Sequence, residues 1–83
     1  MRELNLYTTL GCHLCDQAAA MVTQQGTSDL SLTLVEISES EALMEKYAVR
    51  IPVLKFQVGG NDENAELKWP FTAEELRVFL AGP

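Results

Sequence analysis

Two cysteines, Cys12 and Cys15, are the only thiols in the 83-residue sequence, and they stand three positions apart. That spacing fits both sulfurs on one helical turn and lets them close a small ring. The chemistry open to such a pair is thiol–disulfide exchange. One thiolate attacks a substrate disulfide, and the second thiol then attacks the mixed disulfide that results. A disulfide spanning two residues constrains the unfolded chain little, so it is a poor staple and the pair reads as reactive. Cys12 stands first and is the candidate nucleophile; Cys15 is the resolving thiol. His13, the single histidine, would favour the Cys12 thiolate if protonated, whereas the carboxylate of Asp16 would oppose it.

The flanking pattern supplies the positioning elements. Residues 3–8 alternate as a strand, with Leu4 and Leu6 on one face and Glu3, Asn5 and Tyr7 on the other. Thr8-Thr9-Leu10-Gly11 turns the chain into a helix that runs to about Gln25 and stops at Gly26, with Leu14, Ala18, Met21 and Val22 as its apolar stripe. Cys12 thus falls at a helix N-terminus, where unsatisfied N–H groups and the positive end of the macrodipole favour a thiolate. Leu30 to Ile37 predicts a second strand, joined to the first by a right-handed crossover. Ser38 to Glu41 has capping-box spacing, with Ser40 as a competing cap, before a helix over 40–48 whose apolar side is Leu43, Met44, Tyr47 and Ala48. Pro52 marks the first residue of a third strand, which extends to about Val58. The turn cluster Gly59-Gly60-Asn61-Asp62 leads to an antiparallel fourth strand, Ala65 to Trp69, broken by Pro70. Thr72 and Glu75 form a second capping box, opening a last helix with Ala73, Leu76, Phe79 and Leu80 inward. Gly82-Pro83 ends the chain.

Length and charge bound the possibilities. Residues 1–83 make one small domain, with 47% apolar residues and thus a modest core. The net charge of −6 disfavours nucleic acid and anionic membranes. No apolar run reaches membrane-span length, and Met1-Arg2-Glu3-Leu4 does not open an extended apolar core of the signal-peptide kind. A cytoplasmic location is expected, where a lone thiol pair is catalytic or metal-binding rather than structural. A closed zinc site needs four ligands, and here only Cys12, Cys15 and the badly placed His13 are on offer. No metal site is expected.

The order β-α-β-α-β-β-α predicts an α/β fold of the thioredoxin-like type: a four-stranded mixed sheet flanked by three helices. The sequence resembles the glutaredoxin-like proteins, closest to a short bacterial family of uncertain role. The resemblance is carried by Leu6-Tyr7-Thr8-Thr9-Leu10-Gly11-Cys12-His13-Leu14-Cys15, by Tyr47-Ala48-Val49-Arg50-Ile51-Pro52-Val53-Leu54 and by Trp69-Pro70-Phe71-Thr72. It implies a single glutaredoxin-like domain acting as a dithiol–disulfide oxidoreductase. It also implies that Pro52 is cis and packs against the thiols, and that the Ile51 backbone pairs with an extended substrate or with glutathione. Gly11, His13, Arg50, Ile51 and Pro52 would then form the substrate site, with Arg50 free to meet a carboxylate. The expected partner is a protein disulfide or a small disulfide, and the protein is expected to act as a monomer. No resident cofactor is expected; glutathione would be a co-substrate.

The sequence departs from the glutaredoxin pattern at three places. His13-Leu14 replaces Pro-Tyr between the cysteines, and Arg50-Ile51 replaces Thr-Val before the proline. The glycine pair that serves glutathione before the last helix is displaced to Gly59-Gly60, and Trp69-Pro70-Phe71-Thr72 stands in its place. These departures predict weak use of glutathione. The alternative to an enzyme is a non-catalytic binding module that holds a shared iron–sulfur cluster, or a protein partner, on the same thiols.

Overall fold

The structure is a computed structural model and describes residues 2–26, 29–57 and 66–81. Its elements are β1 (Arg2–Thr8), α1 (His13–Gln24), β2 (Leu30–Glu36), a short 3-10 turn (Ile37–Glu39), α2 (Glu41–Tyr47), β3 (Val53–Phe56), β4 (Glu66–Lys68) and α3 (Ala73–Ala81). The strands form one sheet in the order β2-β1-β3-β4. β1 pairs in parallel with β2 and antiparallel with β3, and β4 pairs antiparallel with β3. This is the thioredoxin-like arrangement that the element order predicts.

Strand periodicity divides the core between the two faces of the sheet. Leu4, Leu6 and Leu54 point to one face, where they bury Ala18 and Val22 of α1 and Leu76 and Leu80 of α3. Phe71 is buried in the same cluster, and Trp69 packs against it. On the other face Val53 meets Tyr47 of α2 and Ile37, with Tyr7, Leu43 and Ile51 around them. The Tyr7 and Tyr47 rings stack at 4.3 Å. Among the described residues no helix is long and apolar enough to cross a membrane.

Several boundaries and faces differ from expectation. β2 stops at Glu36, because the Glu36 carboxylate accepts the Ser38 N–H at 3.0 Å and caps a 3-10 turn that takes in Ile37. Ser40, not Ser38, then caps α2 by accepting the Leu43 N–H at 3.3 Å. Pro52 precedes β3 rather than opening it, and Trp69 lies beyond β4. On α1 the buried positions are Cys15, Ala18 and Val22, while Leu14 is 45% exposed. The helix is turned so that the second sulfur, not the leucine before it, faces the sheet. Met44, Ala48 and Ala73 are exposed, because α2 and α3 cover the sheet with narrower stripes than their sequences suggest. Val58, the Gly59–Asp62 turn, Ala65 and Gly82-Pro83 lie outside the described residues.

The capping box of α3 forms as its spacing predicts. The Thr72 hydroxyl accepts the Glu75 N–H at 3.0 Å, and the Glu75 carboxylate accepts the Thr72 N–H at 2.8 Å. Thr72→Ala removes one of these bonds and is expected to cost about 1 kcal/mol. In a domain of this size the melting temperature should fall by roughly 4–8 °C. Thermal unfolding followed by circular dichroism measures the loss; an unchanged midpoint would show that the box contributes nothing.

Candidate functional site

The site is built at the carboxyl end of β1. Thr9 to Cys12 form a tight turn in which the Thr9 carbonyl accepts the Cys12 N–H at 3.2 Å. Gly11 is its third residue and has φ +79°. A type II turn needs that angle at that position, and glycine adopts it without strain. A β-carbon on Gly11 would meet nothing within 4 Å, so the backbone angle rather than a close approach calls for glycine. The turn leaves Leu10 91% exposed and sets Cys12 as the N-cap of α1.

The two thiols have unlike surroundings. Cys12 is half-buried, whereas Cys15 is only 2% exposed and faces the sheet. Their α-carbons are 5.3 Å apart and the sulfurs are joined in a disulfide. The Cys12 sulfur also accepts the Cys15 backbone N–H at 3.1 Å, which makes sulfur the capping atom of the helix. A capping sulfur gains most from this bond when it carries a negative charge, since the helix start presents further unsatisfied N–H groups and a partial positive charge. His13 and Asp16 are both exposed on the first turn of α1.

Pairing places the remaining candidates. Tyr7 is opposite Val53 on the β3 side of β1, so continuing the register sets Pro52 opposite Thr8, at the edge of the sheet from which the Cys12 turn springs. The peptide bond before Pro52 is cis, as is that before Pro70. Pro52 is buried, Ile51 half-buried and Arg50 exposed. The Pro52 carbonyl accepts the Trp69 N–H at 3.1 Å, which ties this bend to the end of β4.

On the β2 side of the same turn lies an open cleft of about 320 Å³. Its walls are the Thr8–Cys12 segment, Asp16 of α1, and Leu34 and Glu36 of β2. Bonds from the Ser38 backbone first, and from the Thr9 side chain next, hold the Glu36 carboxyl below the usual carboxylate range. Sequence reasoning missed Leu34 and Glu36, because their meeting with Cys12 depends on the parallel pairing of β1 and β2. No signal in the sequence pointed to them, since Leu34 alternates like the other leucines of β2.

A second group gathers behind the Pro52 bend. The Tyr47 hydroxyl donates to Glu66 at 2.5 Å, and Lys46 lies 3.8 Å from the same carboxylate. Burial, reinforced by Glu66, pushes the Tyr47 phenol well above its ordinary value, so it stays protonated and donating. Lys46, half exposed, thus has a carboxylate neighbour as well as solvent.

The family model described as Glutaredoxin-like domain (DUF836) matches residues 3–81. The X-ray structure of a Northeast Structural Genomics target protein, XcR50 from X. campestris, shares 40% identity with this chain and superposes with a TM-score of 0.79. The match covers 96% of this chain and 99% of that one. The solution structure of XcR50 gives 39% identity and a TM-score of 0.77 over 100% and 97% of the two chains. A structure titled as that of a malarial protein is 14% identical, with a TM-score of 0.68 over 98% and 94%, and is alike in fold alone. No curated protein matches the chain.

The capping geometry predicts that Cys12 is the more acidic thiol once the pair is reduced. In reduced Cys15→Ser the Cys12 thiolate is expected to titrate below the free-thiol value of about 8.5. Thiolate ultraviolet absorbance as a function of pH reads the midpoint. A midpoint at or above about 8.5 would mean that Asp16 and burial outweigh the helix N-terminus.

Proposed function

Since the chain belongs to the glutaredoxin-like domain family, we propose that it is a thiol–disulfide oxidoreductase working through Cys12 and Cys15. The observation that carries this reading is the asymmetry of the pair. One sulfur caps the helix at the surface, and the other is buried one turn behind it within disulfide reach. The reduced Cys12 thiolate attacks a substrate disulfide; the substrate S–S bond breaks, a Cys12–substrate disulfide forms, and one substrate thiolate leaves. Cys15 then attacks Cys12, which releases the second substrate thiol and closes the internal disulfide. Two electrons pass to the substrate, and an external thiol or dithiol reductant restores the pair. Ile51 and Pro52 border the path of an extended substrate on the β3 side, with Gly11 and His13 on the turn and the first helical residue. The protein acts as a monomer in the cytoplasm on protein or small disulfides.

Trapping tests the order of attack. Mixed with an excess of hydroxyethyl disulfide, reduced Cys15→Ser should gain the mass of one substrate half at Cys12, while reduced wild type should return to the intramolecular disulfide. Cys12→Ser should react slowly, because its remaining thiol is buried. Equal rates for the two variants would overturn the assignment of nucleophile and resolving thiol.

The reductant is a dithiol system rather than glutathione. Glutathione carries two carboxylates, and the N-terminus of α3 is already capped by the carboxylate of Glu75, with Glu74 beside it. Arg50 is the cation available to offset them. Reduction of the oxidised protein by a thioredoxin-type system should be at least about tenfold faster than by glutathione at matched potential, a gap of about 1.4 kcal/mol. Faster reduction by glutathione, lost in Arg50→Ala, would reverse the conclusion.

A further inference from the structure

The cleft on the β2 side of Cys12 is not needed to hold the thiols or the proline bend. Cys12 is one of its lining residues, and it carries two kinds of wall. Leu10 and Leu34 are apolar and exposed, at 91% and 62%. Asp16 and Glu36 bring carboxylates to the same cleft, one from α1 and one from β2. Among the described residues no lysine or arginine lines it. The Glu36 carboxylate is held beside the turn by the Ser38 N–H at 3.0 Å, and its charge is stabilised by that bond.

We propose that this cleft selects peptide disulfides in which a lysine or arginine neighbours the half-cystine. The methylene stem of such a side chain can lie along Leu10 and Leu34 while its cation meets Asp16 and Glu36. The charge pattern fits a cationic segment and repels an anionic one. The cleft is at the carboxyl ends of two parallel strands, where α/β sheets commonly receive ligands. The inference rests on the oxidoreductase reading and adds to it the class of substrate. The chemistry is unchanged: Cys12 bonds to the peptide sulfur, the peptide S–S bond breaks, and the departing peptide thiolate is protonated by water. Electrons come from the thiol pair.

The test uses the reduced wild-type protein and three symmetric disulfides, made from Ac-Lys-Cys-Lys-NH2, Ac-Ser-Cys-Ser-NH2 and Ac-Glu-Cys-Glu-NH2. Each rate is divided by that of dithiothreitol with the same peptide, because flanking charge alters the leaving thiol. The normalised rate should be about tenfold higher for the lysine peptide than for the glutamate peptide at low salt, and the ratio should collapse in about 0.5 M salt. Asp16→Asn with Glu36→Gln keeps the shapes and one acceptor oxygen on each side chain, and should reduce the ratio to about threefold or less. Glu3→Gln removes one charge at the far end of β1, about 16 Å from Thr8, and should leave the ratio intact. If the double variant fails to fold, Asp16→Asn alone, an exposed change, should still lower the ratio. Fast reaction with all three peptides and no charge preference would overturn the inference and leave the oxidoreductase reading standing. An equal loss of preference in Glu3→Gln would assign selection to net charge and also overturn it. Rates no faster than dithiothreitol for every peptide would remove the oxidoreductase reading and this inference with it.

Discussion

The structure depends on backbone pairing along both edges of β1. Seven of its residues pair with β2 and four with β3, while Leu4 and Leu6 are fully buried beneath α1 and α3. A strand held on both edges and by its side chains has little freedom, so the turn at its end is delivered to a defined place. Cys12 inherits that definition. Its neighbours also follow from the two pairings: the parallel one brings the cleft with Leu34 and Glu36, and the antiparallel one brings the Ile51-Pro52 bend.

The thiols gain their difference from a small rotation of α1. Burial of Cys15 with Ala18 and Val22 turns Leu14 outward and leaves the Cys12 sulfur over the first turn as a cap. One geometric choice thus separates a half-buried sulfur that caps the helix from a shielded partner. The exposed Leu14 and Leu10 then leave apolar surface beside a reactive group. Isolated exposed leucines are ordinary on protein surfaces; a pair of them two positions either side of Cys12 would, on the proposed reading, suit the body of a disulfide substrate.

Charge works in the other direction. The chain bears −6 overall, and carboxylates stand at the starts of both α1 and α3, through Asp16, Glu74 and Glu75. Helix starts elsewhere attract anions, but here the chain's own side chains fill that role at α3 and approach it at α1. On the proposed reading, an acidic tripeptide would meet a surface already supplied with acid, whereas a basic segment would meet complementary charge.

Much of this was legible in the residues alone. The Cys12–Cys15 spacing, the alternation of β1, the glycines at 11 and 26, and the Thr72–Glu75 box are local signals, and local energetics suffice to interpret them. The order of elements added the fold, and resemblance to the glutaredoxin-like proteins added the cis bond at the proline. What the sequence could not determine are matters of which element meets which. Ile37 left β2 because a Glu36 carboxylate capped the turn, and Tyr47, Glu66 and Lys46 came together across β3 and β4 from 19 and 20 positions apart. The cleft needed Leu34 and Glu36 set beside Cys12 by a crossover of some twenty residues. Periodicity reports which side of an element is apolar; only packing decides how far each helix reaches across the sheet, and the cleft lies beyond that reach.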